Sequence, residues 1–170
     1  MSYVAALLAV FFLACPVYAQ AQGEVFASAG PILIGEGAQF SASSGGEQIG
    51  GRGLSGGVEG IIVFGRRDPR PSAPNGEPYR QLVLSGLVGA HSRRPRGMAP
   101  FVSGGLSFVT DPDCCGSGLG WTFGGGARYW LTEHVGIRAD ARLALGFGGG
   151  GMVVGRIGMV FRRMREASSE

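Results

Sequence analysis

Residues 121–145 read WTFGGGARYWLTEHVGIRADARLAL, and they contain two segments in which the side chains alternate in character. In 135–145 the apolar residues occupy every odd position, whereas Arg138, Asp140 and Arg142 occupy even positions. A period of two residues is typical of a β-strand, because successive side chains point to opposite faces of a sheet. The short TEH sequence between the two segments fits a tight turn, so this stretch predicts a β-hairpin.

Strand-length segments with the same character recur along the chain and are separated by turn signals. Seven are clear, and a weak eighth, AQFSAS, is expected to form a short second strand. The predicted strands are 25–34, 38–43, 54–64, 81–91, 100–109, 121–131, 135–145 and 152–162.

The composition supports an all-β chain. Glycine supplies 33 of 170 residues, and charged residues make up only 16%, against about 25% in a typical protein. Because glycine costs about 1 kcal/mol per helical position, this composition argues against a helical bundle. The 45% of hydrophobic residues excludes simple disorder, and the glycines lack the three-residue period of collagen.

The polarity of the two strand faces indicates whether the sheet is surrounded by water or by lipid. In a soluble barrel the charged face is outside, whereas in a membrane barrel it lines the lumen and the apolar face meets lipid. Trp121, Tyr129 and Phe161 lie on apolar faces, and the first two are near the ends of their strand, which is typical of aromatic girdles and favours the membrane barrel. The charges within the predicted strands are then expected to pair in the lumen: Glu59, Arg128, Arg138, Asp140, Arg142 and Arg156.

The N-terminus predicts export. Residues 4–14 are continuously apolar but too short to span a bilayer, and Val17-Tyr18-Ala19 provides small residues for signal-peptide cleavage after Ala19. We therefore expect a signal peptide at 1–19, a barrel at 20–163 and a short polar tail at 164–170, in a bacterial outer membrane.

The connections predict which end of the barrel faces outward. Counting back from the last strand makes 92–97 and 132–134 periplasmic turns, and makes 65–79 a long external loop. Arginines in that loop are candidates for contact with lipopolysaccharide phosphates, because a guanidinium binds phosphate with two hydrogen bonds: Arg66, Arg67 and Arg70. The adjacent Cys114 and Cys115 in another external loop fit either a vicinal disulfide or an unlinked pair.

Three blocks carry a family resemblance: WTFGGGARYWLTEHVGIRADARL (121–143), APFVSGGLSFV (99–109) and GMVVGRIGMVFR (151–162). They resemble the last strands of small outer-membrane β-barrel proteins of the OmpA/opacity-protein type. The resemblance implies an antiparallel up-and-down transmembrane barrel of eight strands, here the barrel domain only. It also implies that the barrel-assembly machinery reads Phe161, although the polar tail departs from the family pattern, in which an aromatic residue ends the chain.

The function expected from these features is structural or interactive, with the lumen filled by side chains. We predict no catalysis, no cofactor and no metal, because no Ser/His arrangement, phosphate loop or ligand cluster stands out. Nucleic-acid binding is not expected despite the net charge of +3 and the RRPR sequence at 93–96, since no recognition motif accompanies them. Two alternatives remain at this stage: a narrow porin-like channel for small solutes, and a soluble secreted β-barrel that binds an apolar ligand.

Overall fold

The computed structural model describes residues 22–34, 39–50, 52–66, 78–92, 94, 96–110, 117–146 and 151–163. These residues form eight antiparallel strands, as the sequence predicts. The strands are Gln22–Ile34 (β1), Gln39–Ile49 (β2), Leu54–Arg66 (β3), Pro78–His91 (β4), Gly97–Thr110 (β5), Ser117–Trp130 (β6), Val135–Gly146 (β7) and Gly151–Arg163 (β8).

Each strand pairs with its neighbours in sequence, and β1 also pairs with β8, so the sheet closes into a barrel. Closure leaves no strand edge unpaired, which is the condition for placing a sheet in hydrocarbon. No helix in the described part of the chain is long and apolar enough to cross a bilayer, a finding that concerns helices alone.

The second strand is not short, contrary to the sequence prediction of 38–43. It covers Gln39–Ile49 and pairs with β3 along its whole length, from Gln39 opposite Gly65 to Ile49 opposite Ser55. Its second half, SGGEQI, lacks an apolar pattern, but backbone hydrogen bonds to both neighbours hold it in the sheet. In a closed barrel this pairing overrides weak local strand propensity.

The connections between strands lie alternately at the two ends of the barrel. The connections at 50–53, 92–96 and 131–134 lie at one end, here named the turn end, and the opposite end is named the loop end. In the 131–134 turn the Thr132 hydroxyl accepts hydrogen bonds from the amides of His134 and Val135.

The barrel has apolar side chains outside and charged side chains inside. The outward faces present large exposed hydrophobic residues on every strand, such as Phe40 on β2, Leu84 on β4 and Ile157 on β8. The inward faces bury most of the charged strand residues. The soluble alternative is wrong on this point, because it needs the apolar faces to line the lumen.

Inward-facing glycine permits the strands to bend around this lumen. At Gly126 on β6, a Cβ atom would overlap the carbonyl oxygen of Ala139 on β7. The missing side chain therefore allows β6 and β7 to curve closely together, which is the use that barrels make of glycine within strands.

Candidate functional site in the barrel lumen

The lumen contains a network of buried ion pairs, and Asp140 on β7 lies at its centre. Its Oδ2 atom accepts a hydrogen bond of 2.7 Å from Nε of Arg138, its neighbour on the inner face of the same strand. Its Oδ1 atom accepts two from Arg156 on β8, from Nε at 2.9 Å and from Nη2 at 2.7 Å. Asp140 therefore holds two guanidinium groups in fixed orientation by charge-assisted hydrogen bonds.

Glu59 on β3 extends the network across the barrel. Arg156 Nη1 donates to Glu59 Oε1 at 2.6 Å and also to the hydroxyl of Ser43 at 2.8 Å. The other oxygen of Glu59, Oε2, lies 3.1 Å from Nε of Arg142. One carboxylate thus neutralises guanidinium groups from two adjacent strands.

Toward the turn end, Glu47 on β2 and Glu24 on β1 continue the same alternation of charge. Glu47 receives Arg138 Nη1 at 3.1 Å and Arg128 Nη2 at 2.9 Å. Glu24 lies 2.8 Å from Arg128 Nη1, and it accepts a hydrogen bond of 3.2 Å from Arg162 Nε. Each carboxylate in this direction is again shared by two arginines.

Together these contacts form one series in which arginines and carboxylates alternate, here named the salt-bridge network. From the turn end toward the loop end, its members are Arg162, Glu24, Arg128, Glu47, Arg138, Asp140, Arg156, Glu59 and Arg142. The structure places all six charged residues singled out by the sequence in this network. Buried charges require such pairing, because a lone charge in a low-dielectric interior is very costly.

Four further residues of the lumen were not predicted from the sequence: Glu24, Glu47, His91 and Arg162. Glu24 lies one residue before the predicted first strand, and Glu47 lies beyond the predicted end of the second. Continuing the alternation through Ser41 and Ser43 would have placed Glu47 on the inner face. His91 and Arg162 lie at the ends of strands whose two faces have similar character in sequence.

Aromatic rings pack among the guanidinium groups. Arg138 lies over the rings of Phe26 and Phe101, with its central carbon 3.9 Å and 4.3 Å from the two ring centres. At the turn end, Arg162 lies 3.7 Å from the ring centre of Trp130. Cation–π contacts of this kind gain strength where the cation is desolvated, as it is here.

Two clusters of apolar side chains also pack inside the lumen. At the turn end, Phe26, Ala99, Trp130 and Val160 form a buried cluster. At the loop end, a second cluster is packed from β1, β3, β4, β5 and β8, and its members are Ile61, Val63 and Val83, with Ile32, Val109 and Met152 against them. At the loop end an apolar layer therefore covers the network, whereas at the turn end the apolar cluster is interleaved with the charged side chains.

A Ser–His–Glu contact occurs at the turn end but lacks the geometry of a catalytic triad. The hydroxyl of Ser55 lies 2.5 Å from Nε2 of His91, and Oε2 of Glu47 lies 2.9 Å from the same nitrogen. A triad needs the nucleophile on one ring nitrogen and the carboxylate on the other. The ring instead stacks on Phe101, with the two centres 5.6 Å apart, and its Nδ1 has no partner in the described residues.

The remaining predicted site residues lie on the outer surface or outside the described part of the chain. Trp121, Tyr129 and Phe161 point outward and are exposed, with Trp121 nearer the loop end of β6 and Tyr129 nearer its turn end. Arg66 is the last residue of β3. Arg67, Arg70, Cys114 and Cys115 lie outside the described residues, as do the predicted signal peptide and tail. Within the described ranges, no cluster of His, Cys, Asp and Glu side chains is suited to hold a metal ion.

The barrel is similar to several solved structures. The N-terminal β-barrel domain of Pseudomonas aeruginosa OprF matches with a TM-score of 0.56 and 16% identity, over 85% of this chain and 98% of that one. Neisserial surface protein A (NspA) matches with a TM-score of 0.61 and 15% identity, over 82% and 95% of the two chains. The chain has the fold of the small outer-membrane β-barrels.

This outer-membrane-barrel fold does not by itself specify an activity. A de novo designed transmembrane β-barrel also matches, with a TM-score of 0.55 and 16% identity over 84% of this chain and 96% of that one. No protein-family model and no curated protein sequence matches the chain. Function must therefore be argued from the lumen and the surface of the barrel.

Proposed function

We propose that the protein is a closed outer-membrane barrel whose lumen is filled by its own side chains. Its role is structural or interactive, and its contacts are made by segments at the loop end. The observation that carries this proposal is the combination of an outward apolar surface with a buried, internally paired salt-bridge network. An apolar exterior stabilises a barrel in hydrocarbon, and a lumen whose charged side chains pair with one another needs no water-filled passage.

The location in the outer membrane is tested by fractionation. We expect the protein, expressed in a Gram-negative host, to sediment with outer-membrane markers. We also expect the unheated sample to migrate differently in gel electrophoresis from the heated one, because closed barrels resist detergent until heated. A soluble protein without a heat-dependent shift would overturn the membrane assignment.

The closed lumen is tested by conductance in planar bilayers. A channel needs a continuous polar path, whereas the described lumen has an apolar layer beyond the loop end of the network. We expect no stable openings from the wild-type protein. The comparison variant combines Ile61→Ala, Val63→Ala and Val83→Ala, which thins the loop-end layer and should raise conductance. Stable wild-type openings would instead support the narrow-channel function.

The interactive role includes a proposed contact with lipopolysaccharide. Arg66 is the last residue of β3, at the loop end, and Arg67 and Arg70 come shortly after it in the sequence; guanidinium groups bind phosphates in pairs of hydrogen bonds. Replacing all three with serine should weaken binding to lipopolysaccharide micelles. The exposed turn-end residue Arg52 provides the control, since Arg52→Ser removes a positive charge at the opposite end. Equal binding by both variants would exclude the contact.

A further inference from the structure

The salt-bridge network ends differently at its two termini. Each inner arginine of the network contacts two carboxylates, but Arg162 and Arg142 each contact one. Arg162 has Trp130 as a second partner. Arg142, at the terminus nearer the loop end, has among the described residues only the Nε contact with Glu59, and that contact is not aligned as a hydrogen bond.

The guanidinium of Arg142 is therefore the least satisfied in the network. Its side chain is 2% exposed, and none of its three nitrogens has a hydrogen-bond acceptor in the described residues. Arg128 and Arg138 each have one such nitrogen, and Arg156 has none. Burying a guanidinium without hydrogen-bond acceptors is strongly unfavourable, so a partner of some kind is required at this position.

The wall beside Arg142 offers further hydrogen-bond donors. Gly124 on β6 pairs in register with Arg142 on one side and with Ser103 on β5 on the other. A Cβ at Gly124 would lie 2.9 Å from Cγ of Arg142, so the glycine makes room for the arginine stem. The hydroxyls of Ser103 and of Thr122, the next inward residue of β6, are buried and have no partner in the described residues.

The charge balance determines the nature of the partner. Among the described residues, five buried arginines face four buried carboxylates. Water would satisfy the hydrogen-bond donors but would leave the excess positive charge in the lumen uncompensated. An anion would accept the hydrogen bonds and would also compensate the positive charge. It would continue the alternation of charge by one position beyond Arg142.

We propose that Arg142, Ser103 and Thr122 form an enclosed binding site for a small monovalent anion of the halide class. The guanidinium nitrogens Nη1 and Nη2 and the two hydroxyls donate hydrogen bonds to the ion, and its negative charge balances the fifth arginine. The apolar layer of Ile61, Val63 and Val83 separates this part of the lumen from the loop end, which favours a small ion over a phosphate ester. This inference goes beyond the proposed function, because it concerns the lumen wherever the barrel resides.

The experiment uses bromide as the probe. The full chain is refolded in detergent micelles with bromide replacing chloride, crystallised, and measured by anomalous diffraction at the bromine edge. We expect an anomalous peak within hydrogen-bond distance of Arg142, and we expect Arg142→Met to abolish it. The exposed Arg96→Met variant is the matched control and should retain the peak. Absence of a peak at Arg142 in the wild-type protein, or a peak unaffected by Arg142→Met, would overturn the proposal.

A second measurement keeps the test decisive if Arg142→Met fails to fold. Ser103→Ala and Thr122→Val each remove one hydroxyl and leave the salt-bridge network intact. We expect each to weaken bromide binding in solution by about tenfold to one-hundredfold, the effect of losing one hydrogen bond to a charged group. Unchanged affinity in both variants would exclude the site as proposed, whereas the fractionation result would be unaffected.

Discussion

Replacing Asp140 with asparagine is expected to destabilise the barrel strongly while preserving its shape. The wild-type carboxylate accepts three hydrogen bonds, at 2.7 Å from Arg138 and at 2.7 Å and 2.9 Å from Arg156. Asparagine keeps one acceptor oxygen but turns an amide toward the other guanidinium and removes the negative charge. The positive charges of Arg138 and Arg156 are then less well neutralised at the centre of the network.

The magnitude follows from the partners that remain. Hydrogen bonds to charged groups contribute about 1.5–3 kcal/mol each, so the three together set an upper limit. Arg138 retains Glu47, and Arg156 retains Glu59, so part of this energy is recovered. We therefore expect the free energy of unfolding to fall by about 3–5 kcal/mol, as for other broken buried ion pairs.

Urea titration of the barrel refolded in lipid vesicles measures this change, with heat-dependent gel migration reporting the folded fraction. Glu133→Gln is the matched control, because Glu133 pairs with Arg96 at 3.4 Å while the two side chains are 50% and 75% exposed. Its cost should stay below about 1 kcal/mol. An Asp140→Asn cost no greater than that of the control would refute the claim that the lumen pairs stabilise the barrel.

A double-variant cycle assigns the effect to the contact itself. If Asp140 and Arg156 interact as the distances indicate, Asp140→Asn together with Arg156→Met should cost less than the sum of the single variants. Strict additivity would show that the loss arises elsewhere in the barrel.

Three further predictions test the outer face, the turn-end layer and the strand curvature. Leu84→Arg places a charge on the lipid face near the middle of β4, and it should cost about 2–4 kcal/mol in vesicles; a cost near zero would contradict lipid contact at this residue. Trp130→Ala removes a buried ring that packs against Arg162, so we expect the free energy of unfolding to fall by about 3–5 kcal/mol. A smaller loss, below about 1 kcal/mol, would show that the turn-end layer is loosely packed. Gly126→Ala should destabilise by about 1–3 kcal/mol, because its Cβ meets the backbone of β7. Outward-facing Gly86→Ala meets no atom within 4 Å and should be neutral or stabilising; equal effects of the two would refute the curvature argument.

The sequence predicted the strands well because a half-buried sheet imposes a two-residue period on its side chains. All eight strands are present, including the second one, which the weak AQFSAS segment predicted. The predicted length of β2 was wrong, because the second half of this strand consists mostly of small and polar residues and has no apolar face. There the pairing with β1 and β3 defines the strand, and no local pattern in SGGEQI reveals it.

The lumen residues could be predicted by face but not by partner. Alternation places Arg138 on the inner face, yet its contact with Glu47 joins residues 91 positions apart in the sequence. That contact depends on the relative heights of strands on different sides of the barrel, which follow from the accumulated register of the closed sheet. The single-sequence pattern carries no information on that register, so the order of charges in the network became apparent only in the structure.

The pairing of β1 with β8 has a consequence for how the barrel forms. Gly23 on β1 lies opposite Arg163 on β8, and the ion pair of Glu24 with Arg162 crosses the same seam. The backbone hydrogen bonds between β1 and β8 can therefore form only after the last strand is in place. The chain segment that separates these two strands is nearly as long as the barrel sequence itself. Closure of such a loop is slow. Until then the backbone N–H and C=O groups at the edges of β1 and β8 are unpaired, and lipid tails cannot form hydrogen bonds with them. The incomplete sheet must therefore be kept out of contact with hydrocarbon during membrane insertion. Pairing of β1 with β8, and not the formation of any single hairpin, is therefore the final step of assembly.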